Sequence, residues 1–367
     1  MEKWKWGLLV SLAATGRAQA QSPAAWHFTE ELRIGSESDD AAGFSDIRGL
    51  LVDANGNIWV LEASTQEIRV FDPRGKHLRN IGRKGQGPGE FIYADGMAMA
   101  PDGLIWVHDP KNARFSIFDQ EGKFVRQQLA PSNGYGFIWF GGIDRQGRIW
   151  DQVFRQDPKN PGQSWMRRAA ADWRTVDTLA LPSCGKPGRS PEEGSFKLPH
   201  GFAAVPYYPG PLTAIDYDDG SLWCAPTSAE YEFVRLRIGR GDTVGRLAAR
   251  ADRVPVTPAE RDSAISKLKE FMKRAGEASL DWSRIPRVKP VIQWPFVEGD
   301  GRLWVRRNAP GGTSVFDIFS RDGRPVASLS IPLPVNAWLR PVIRNDTGYF
   351  VVQEEGEIPY IVRARIR

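Results

Sequence analysis

The sequence predicts an all-β fold: a six-bladed β-propeller built from four-stranded antiparallel blades. Three observations carry this expectation. They are a 47-residue repeat in gapless register, a glycine–aromatic anchor that recurs six times, and a last repeat one strand short in a chain whose first strand is spare.

The repeat is the strongest of the three. Residues 34–78 slide onto 81–125 with 12 of 45 positions identical. Ile34-Gly35 falls on Ile81-Gly82, Phe44 on Phe91 and Gly49 on Gly96. Ile58-Trp59-Val60 falls on Ile105-Trp106-Val107, and Phe71-Asp72 on Phe118-Asp119. Within the first unit, four runs of strand-forming residues are Leu50–Val52, Asn57–Leu61, Ile68–Phe71 and Leu78–Ile81. Asp53-Ala54-Asn55-Gly56 and Asp72-Pro73-Arg74-Gly75 supply the residues that tight hairpins need between them. The second strand is apolar on both faces, with Ile58 and Val60 on one side and Trp59 and Leu61 on the other. A strand of that kind belongs to a sheet covered on both sides, as stacked blades are.

The Gly-x-x-Trp anchor of the first two units returns as Gly147 with Trp150, Gly220 with Trp223 and Gly301 with Trp304. Gly348, followed by Tyr349-Phe350-Val351, is a worn sixth copy. Successive anchor glycines are 47, 44, 73, 81 and 47 residues apart, so the two long intervals mark insertions, at about 182–211 and 250–290. The last unit offers three strands, around Pro341–Arg344, Tyr349–Gln353 and Tyr360–Arg365. By the repeat register His27–Ile34 is a fourth strand without its first three, so it is expected to complete the C-terminal blade and close the ring.

The connector Ile81-Gly82-Arg83-Lys84-Gly85-Gln86-Gly87-Pro88-Gly89-Glu90-Phe91 resembles the blade-linking motif of NHL-repeat and related TolB-like six-bladed propellers. The run from Gly103-Leu104-Ile105-Trp106-Val107 through Asp109, Asn112, Arg114 and Phe115 is similar to their repeat signature. The resemblance is specific over about residues 34–125 and weaker toward the C-terminus. It implies a fold and not an activity, since such propellers serve as binding platforms, lyases and lactonases.

Composition and the chain start set the setting. With 41% hydrophobic and 25% charged residues in 367, the chain is neither disordered nor collagen-like. Residues 1–20 read as a secretory signal: Lys3 and Lys5 lead, Gly7 to Ala14 is a short apolar run, and Ala18-Gln19-Ala20 is a small-residue cleavage site. The run is too short to span a membrane. The expectation is therefore an exported protein, periplasmic or extracellular, with a single propeller domain over 21–367. An ordinary N-terminal helix is the other reading of this segment. Cleavage would remove Lys3, Lys5, Arg17 and Glu2, lowering the formal charge from +5 to +3. Arg outnumbers Lys 36 to 13, which reads as codon bias and solvated strand edges. No basic–aromatic stripe points to nucleic acid. Cys184 and Cys224, the two cysteines, could be bridged in an oxidising compartment, or Cys224 could be a buried thiol.

Antiparallel order places the starts of first strands and the ends of second strands together around the central channel. Eleven residues before each anchor lie Arg48, Asp95, Trp139, Leu212, Gln293 and Arg340. The second strands end at Leu61, His108, Gln152, Ala225, Arg306 and Gln353, followed by Glu62, Asp109, Val153, Pro226, Arg307 and Glu354. From these, Arg48, Asp95, His108, Trp139, Arg306 and Arg340 are the candidate ligand-binding residues. Guanidinium forks among carboxylates suit a carboxylate, sugar or peptide, or they pair with one another to hold the turns. Asp109 and Asn112 read as turn formers.

Four histidines, His27, His77, His108 and His200, are scattered, so no metal site and no cofactor is expected. Gly220-Ser221 is a hairpin turn, not a nucleophile elbow. No helix follows the glycines of 82–89, so they are not expected to hold a phosphate. The first insertion, rich in proline and aromatics, reads as an ordered loop that lines or caps the channel. The second contains a helix with Thr257-Pro258-Ala259-Glu260 as capping box, Ile265, Leu268, Met272 and Ala275 as its apolar stripe, and Gly276 as its end. That stripe is expected to pack on the propeller, or otherwise to await a partner. Both insertions join a fourth strand to a first and so emerge at the channel mouth.

The leading functional expectation is a non-catalytic binder of a small ligand, glycan, peptide or protein partner on that face. An enzyme using the same mouth, a lyase or lactone hydrolase with or without the help of a metal, is the alternative.

Overall fold

A computed structural model describes residues 23–36, 42–130, 138–139, 141–153, 163–184, 191–276, 278–310, 313–353 and 358–367. The expected signal segment and Glu354 lie outside the described residues.

Six four-stranded antiparallel blades form the ring. Blade 1 runs Ile47–Val52, Ile58–Glu62, Glu67–Phe71 and His77–Ile81 from the channel outward. Blade 2 follows with Gly96–Met99, Ile105–Asp109, Arg114–Phe118 and Phe124–Leu129. Blade 3 comprises Gly142–Ile143, Ile149–Val153, Trp165–Ala169 and Val176–Ala180. Blade 4 comprises Leu212–Asp216, Ser221–Ala225, Glu232–Arg237 and Thr243–Ala248. Blade 5 comprises Ile292–Val297, Leu303–Arg307, Ser314–Phe319 and Pro325–Ile331. Blade 6 takes Val342–Arg344, Thr347–Val352 and Tyr360–Ile366 from the C-terminus and Phe28–Ile34 from the N-terminus.

The N-terminal strand closes the ring as the repeat register requires, pairing antiparallel with the last strand from Phe28 opposite Ile366 to Ile34 opposite Ile361. The clasp has a second part that the repeat did not reveal. Ala24–Trp26 adds a parallel fifth strand to the outer edge of blade 5, with Trp26 opposite Leu329. Trp26 lies edge-on to the anchor Trp304 at 6.0 Å, so one short segment ties blade 5 to blade 6.

The anchor tryptophans Trp59, Trp106, Trp150, Trp223 and Trp304 are all fully buried. In three blades a hairpin carboxylate six residues upstream accepts the indole N–H: Asp53 for Trp59 (3.1 Å), Asp144 for Trp150 (2.8 Å) and Glu298 for Trp304 (2.9 Å). A guanidinium covers the ring in four blades: Arg79 on Trp59, Arg126 on Trp106, Arg168 on Trp150 and Arg235 on Trp223, at 5.0–5.5 Å.

Three of these arginines and Arg363 also reach the third hairpin of the next blade. Arg79 donates to Gln120 O (2.6 Å), Arg126 to Ala171 O (3.1 Å), Arg235 to Arg321 O (2.7 Å) and Arg363 to Pro73 O (2.5 Å). The arginine excess therefore has a structural use: a planar fork can stack on an indole and donate sideways, which a lysine ammonium cannot do.

The insertions differ from expectation. The first is a β-hairpin, Ser195–Leu198 with Gly201–Ala204, preceded by a short 3-10 turn. The helix Pro258–Ala275 carries the expected capping box, with Thr257 Oγ1 accepting from Glu260 N and Glu260 bonding Thr257 N. Its stripe does not pack on the blades. Leu268 and Met272 join Phe196, Leu198, Ala203, Val205 and Ile285 in a separate core, with Ile265 against it. The apolar faces of hairpin and helix bury one another, so the two insertions make one small module.

Cys184, at the foot of this module, is bridged to Cys224 in the second strand of blade 4, with Cα atoms 5.5 Å apart. Closing a loop with a sequence separation of 40 restricts the unfolded chain by about 4 kcal/mol on the chain-entropy account.

Asp144 accepts from Trp150 Nε1, from Arg148 Nε (2.6 Å) and from the backbone N–H groups of Gln146 and Arg148. Asp144→Ala is expected to destabilise the protein by roughly 1–3 kcal/mol, seen as a lower denaturation midpoint with an unchanged slope, because it strands a buried indole N–H.

Candidate functional site

The inner strands of neighbouring blades approach so closely that a side chain of one lies on a glycine of the other. A Cβ on Gly49 would lie 2.8 Å from Met97 of blade 2, and one on Gly96 would lie 2.6 Å from Trp139. Glycine at these two positions lets a neighbour's side chain lie flat on the strand. Tyr217, just past the inner strand of blade 4, packs over Gly142 of blade 3 in the same way.

Where the inner strands begin, blades 1 and 2 and the start of blade 3 bring together a buried polar cluster, the cup. Asp95, at the head of the inner strand of blade 2, is buried and meets His108 Nδ1 at 2.6 Å. His108, one residue before the end of the adjacent strand, is only 3% exposed. Its ring stacks on Trp139 at 5.5 Å and 23° and tilts against Phe115 at 5.0 Å. Trp139 is fixed at both ends: its backbone N–H donates to Asp95 O (2.9 Å) and its Nε1 to Asp151 Oδ1 (3.0 Å). Asp151 is in turn paired with Arg167. The imidazole is thus held between a carboxylate and a clamped indole.

Arg48 enters from blade 1. Its Nε and Nη2 bind Asp46 (3.0 and 2.8 Å), and its guanidinium lies over the Tyr93 ring at 4.6 Å. Lys111 Nζ is also over that ring, at 4.7 Å. Among the described residues, two buried nitrogens, Arg48 Nη1 and His108 Nε2, have no hydrogen-bond partner. Burial raises the Asp95 pKa above the usual carboxylate value. The hydrogen bond from His108 and the field of Arg48 oppose that shift without cancelling it.

The other predicted residues sit differently. Arg306 does not face the cup. It donates to Val335 O (2.6 Å) and Ser314 Oγ (3.0 Å), holding the connector between blades 5 and 6, and burial lowers its pKa. Arg340 lies over the Tyr217 ring at 5.6 Å and touches none of Arg48, Asp95 or His108 by any bond described. Arg307 is paired with Asp317, which also accepts from Tyr231 and Ser328, beside a surface cavity of about 720 Å³ between blades 4 and 5.

Glu62 and Asp109 are latches. Glu62 accepts from the N–H groups of Ser45 and Asp46, and Asp109 from those of Ile92 and Tyr93, at positions 47 residues apart. The glycine-rich connector is bound by Arg114 through Gly87 O and Glu90 O, so it serves as a blade link. His200 sits at the hairpin tip against Gly276. Among the described residues no cluster of three or more His, Cys, Asp or Glu could hold a metal ion.

Sequence reasoning placed Arg48, Asp95, His108 and Trp139 on one face, and the structure brings them together. It did not single out Tyr93, Asp151 or Lys111. Asp151 follows the anchor Trp150 directly, and that adjacency was the available signal. Tyr93 and Lys111 lie in connectors, where the repeat has no fixed side-chain pattern.

The fold is that of a six-bladed propeller with a buried polar cluster at the inner ends of blades 1 to 3. A family described as a 6-bladed beta-propeller (DUF5128) matches residues 37–100. No curated protein sequence matches the chain. A member of the DUF4221 family from Bacteroides vulgatus is similar in structure, with a TM-score of 0.56 at 12% identity over 94% of this chain and 99% of that one. A Bacteroides fragilis protein provisionally named as exported aligns with a TM-score of 0.50 at 12% identity, over 93% and 95% of the two chains. Virginiamycin B lyase from Staphylococcus aureus aligns at 13% identity over 93% and 99%, with a TM-score of 0.44. At these identities the likeness establishes the fold alone. No helix among the described residues is long and apolar enough to cross a membrane.

Asp95 supplies a pH test. Its pKa is raised on folding, so its charge costs stability above the native value, and the cost disappears as pH falls toward the ordinary carboxylate range. Asp95→Asn removes that cost. The variant is expected to be at least as stable as the wild type at neutral pH, and the difference should close on acidification, as read from denaturation midpoints across pH.

Proposed function

We propose that the protein is an exported propeller that binds a small polar ligand in the cup formed by Arg48, Asp95, His108 and Trp139, with Arg340 on Tyr217 as a further cation on the channel. One observation carries this reading. Arg48 Nη1 and His108 Nε2 are buried without partners among the described residues, and a buried nitrogen left unpaired is costly unless something else meets it. The cost raised by Asp95 points the same way, because a site kept at the expense of stability is a mark of function. Export is supported by the signal-like residues 1–20 and by the Cys184–Cys224 bridge, which suits an oxidising compartment. The name given to the Bacteroides fragilis neighbour is in keeping with it. The hairpin–helix module, anchored at blade 4, stands on the same face and suits a partner or a larger ligand such as a glycan or peptide.

Thermal-shift screening of metabolites and oligosaccharides against the purified mature chain should find a stabilising ligand. Arg48→Ala combined with Arg340→Ala is expected to abolish that shift while the variant still melts cooperatively. Unchanged affinity would remove the cup as the site.

A second reading is favoured by the Asp95–His108 pair. A carboxylate on Nδ1 fixes the imidazole tautomer with its lone pair on Nε2, the form in which histidine acts as a general base. A lyase or lactone hydrolase would use that nitrogen to take a proton from the substrate or from water. Turnover of a lactone panel by the wild type, lost in a folded His108→Ala variant, would establish the enzyme. Ligand binding without turnover of any of them supports the binder.

A further inference from the structure

We propose that a second site, on the face opposite the channel mouth, binds a phosphate monoester in the cleft between blades 3 and 4. The inference is independent of the cup and goes beyond it. It starts from a break in the lock that joins successive blades. The third hairpins of blades 1, 2, 3 and 5 are each gripped by an arginine of the preceding blade: Arg363 on Pro73 O, Arg79 on Gln120 O, Arg126 on Ala171 O and Arg235 on Arg321 O. Among the described residues the third hairpin of blade 4 has no such grip. Arg168, the arginine stacked on the anchor of blade 3, is turned onto Asp177 of its own blade, with Nη2 at 2.6 Å. A backbone bond from Gly239 N to Ala180 O (3.0 Å) joins the hairpin to blade 3 in its stead.

Beside this hairpin lies a cavity of about 490 Å³, within the range of small-molecule sites. Trp150, Leu179 and Ile238 form its apolar wall, and Arg168, Arg237, Arg240 and Asp219 its polar one. The first and third hairpins of an antiparallel blade turn away from the channel mouth, so the cavity opens on the other face.

The charges of the lining decide what it can take. Asp177 neutralises Arg168. The Asp219 carboxylate is taken by Arg235 Nη2 (2.5 Å) and Ser221 Oγ (2.6 Å). Asp242, two residues past Arg240, is not part of the lining. Arg237 is held by one bond, from Nη1 to Asp219 O (3.0 Å), which ties the third hairpin to the first and leaves its other N–H groups to donate. Arg240 stands exposed at the hairpin tip, and its side chain makes no bond among the described residues. Arg237 and Arg240 are therefore two cations without a carboxylate partner among the described residues, on the wall of one cavity.

Two unmatched guanidinium groups suit a dianion. A phosphate monoester carries nearly two negative charges at neutral pH on three acceptor oxygens, and guanidinium forks bond such oxygens in pairs. A carboxylate or a sulfate ester, each with one charge, leaves one cation unmatched. The apolar wall gives the organic part of the ester a seat, which inorganic phosphate cannot use.

The test is calorimetric titration of the purified chain with phenyl phosphate, phenyl sulfate, benzoate and inorganic phosphate. Phenyl phosphate is expected to bind most tightly, and its affinity should fall below about pH 6, where the ester takes up its second proton. Arg240→Gln should weaken it roughly tenfold, the loss of one charged hydrogen bond, and Arg237→Gln with Arg240→Gln should abolish it. Arg324→Gln, at the exposed third hairpin of blade 5, should change nothing and so controls for general attraction to a basic surface. Arg48→Ala should also leave binding unchanged, which separates this site from the cup. Cooperative melting shows that each variant is folded. If Arg237→Gln does not fold, Arg240→Gln decides alone.

Benzoate or phenyl sulfate binding as tightly as phenyl phosphate overturns the inference, and so does inorganic phosphate binding as tightly. Full affinity in folded Arg240→Gln, an equal loss in Arg324→Gln, or no binding of phenyl phosphate also overturns it. None of these results bears on the cup.

Discussion

The buried anchor tryptophan is the interaction on which the rest of the molecule depends. Each of the first five blades places one indole where two sheets stack, and a ring of that size fixes the spacing between them. Burial leaves the N–H needing an acceptor and the ring face needing cover. A hairpin carboxylate answers the first need in blades 1, 3 and 5, and an arginine answers the second in blades 1 to 4. Among the described residues Trp106 and Trp223 have no acceptor for their N–H, so the pattern bends where the hairpins change. Blade 2 has Ala100 in the carboxylate's place, and blade 4 has Tyr217. Because arginines of this set also grip the next blade, local packing of one residue becomes cohesion around the ring.

That cohesion allows the channel face to be polar and costly. Asp95 is buried against the preference of its charge, and two nitrogens beside it have no partner. A propeller can hold such a site because its stability resides in the stacked sheets, and the inner strand ends need contribute little. The clasp of Ala24–Trp26 and Phe28–Ile34 closes the ring at blades 5 and 6, where Ile34 packs on the core of blade 1. The insertion module rises from blades 3 to 5 with its own core.

Much of the site was legible from the anchors. Counting eleven residues back from Trp59, Trp106 and Trp150 reached Arg48, Asp95 and Trp139, and two residues forward from Trp106 reached His108. The same counting gave Arg306, which the structure spends on the Val335 carbonyl. Register places a residue at a strand end; it does not say whether a long side chain turns inward or along the rim. Arg340 shows the same limit, for it extends over Tyr217 instead of joining Arg48. The helix stripe of Ile265, Leu268 and Met272 was recognised as apolar, yet its partner was another insertion about 70 residues away in sequence, and no periodicity encodes that pairing.

Sequence alone determined the blade count, the strand order within a blade, the closing strand and the capping box of the helix. Those features follow from local periodicity, turn chemistry and a repeat that the eye can align. Tertiary structure decided the parallel strand Ala24–Trp26, the mutual burial of the two insertions and the convergence of Asp95, His108, Trp139 and Arg48. Each of these is a contact between segments whose separation carries no periodic signal. Which partner a side chain finds there is settled by packing and by hydrogen bonds that only the closed ring brings within reach.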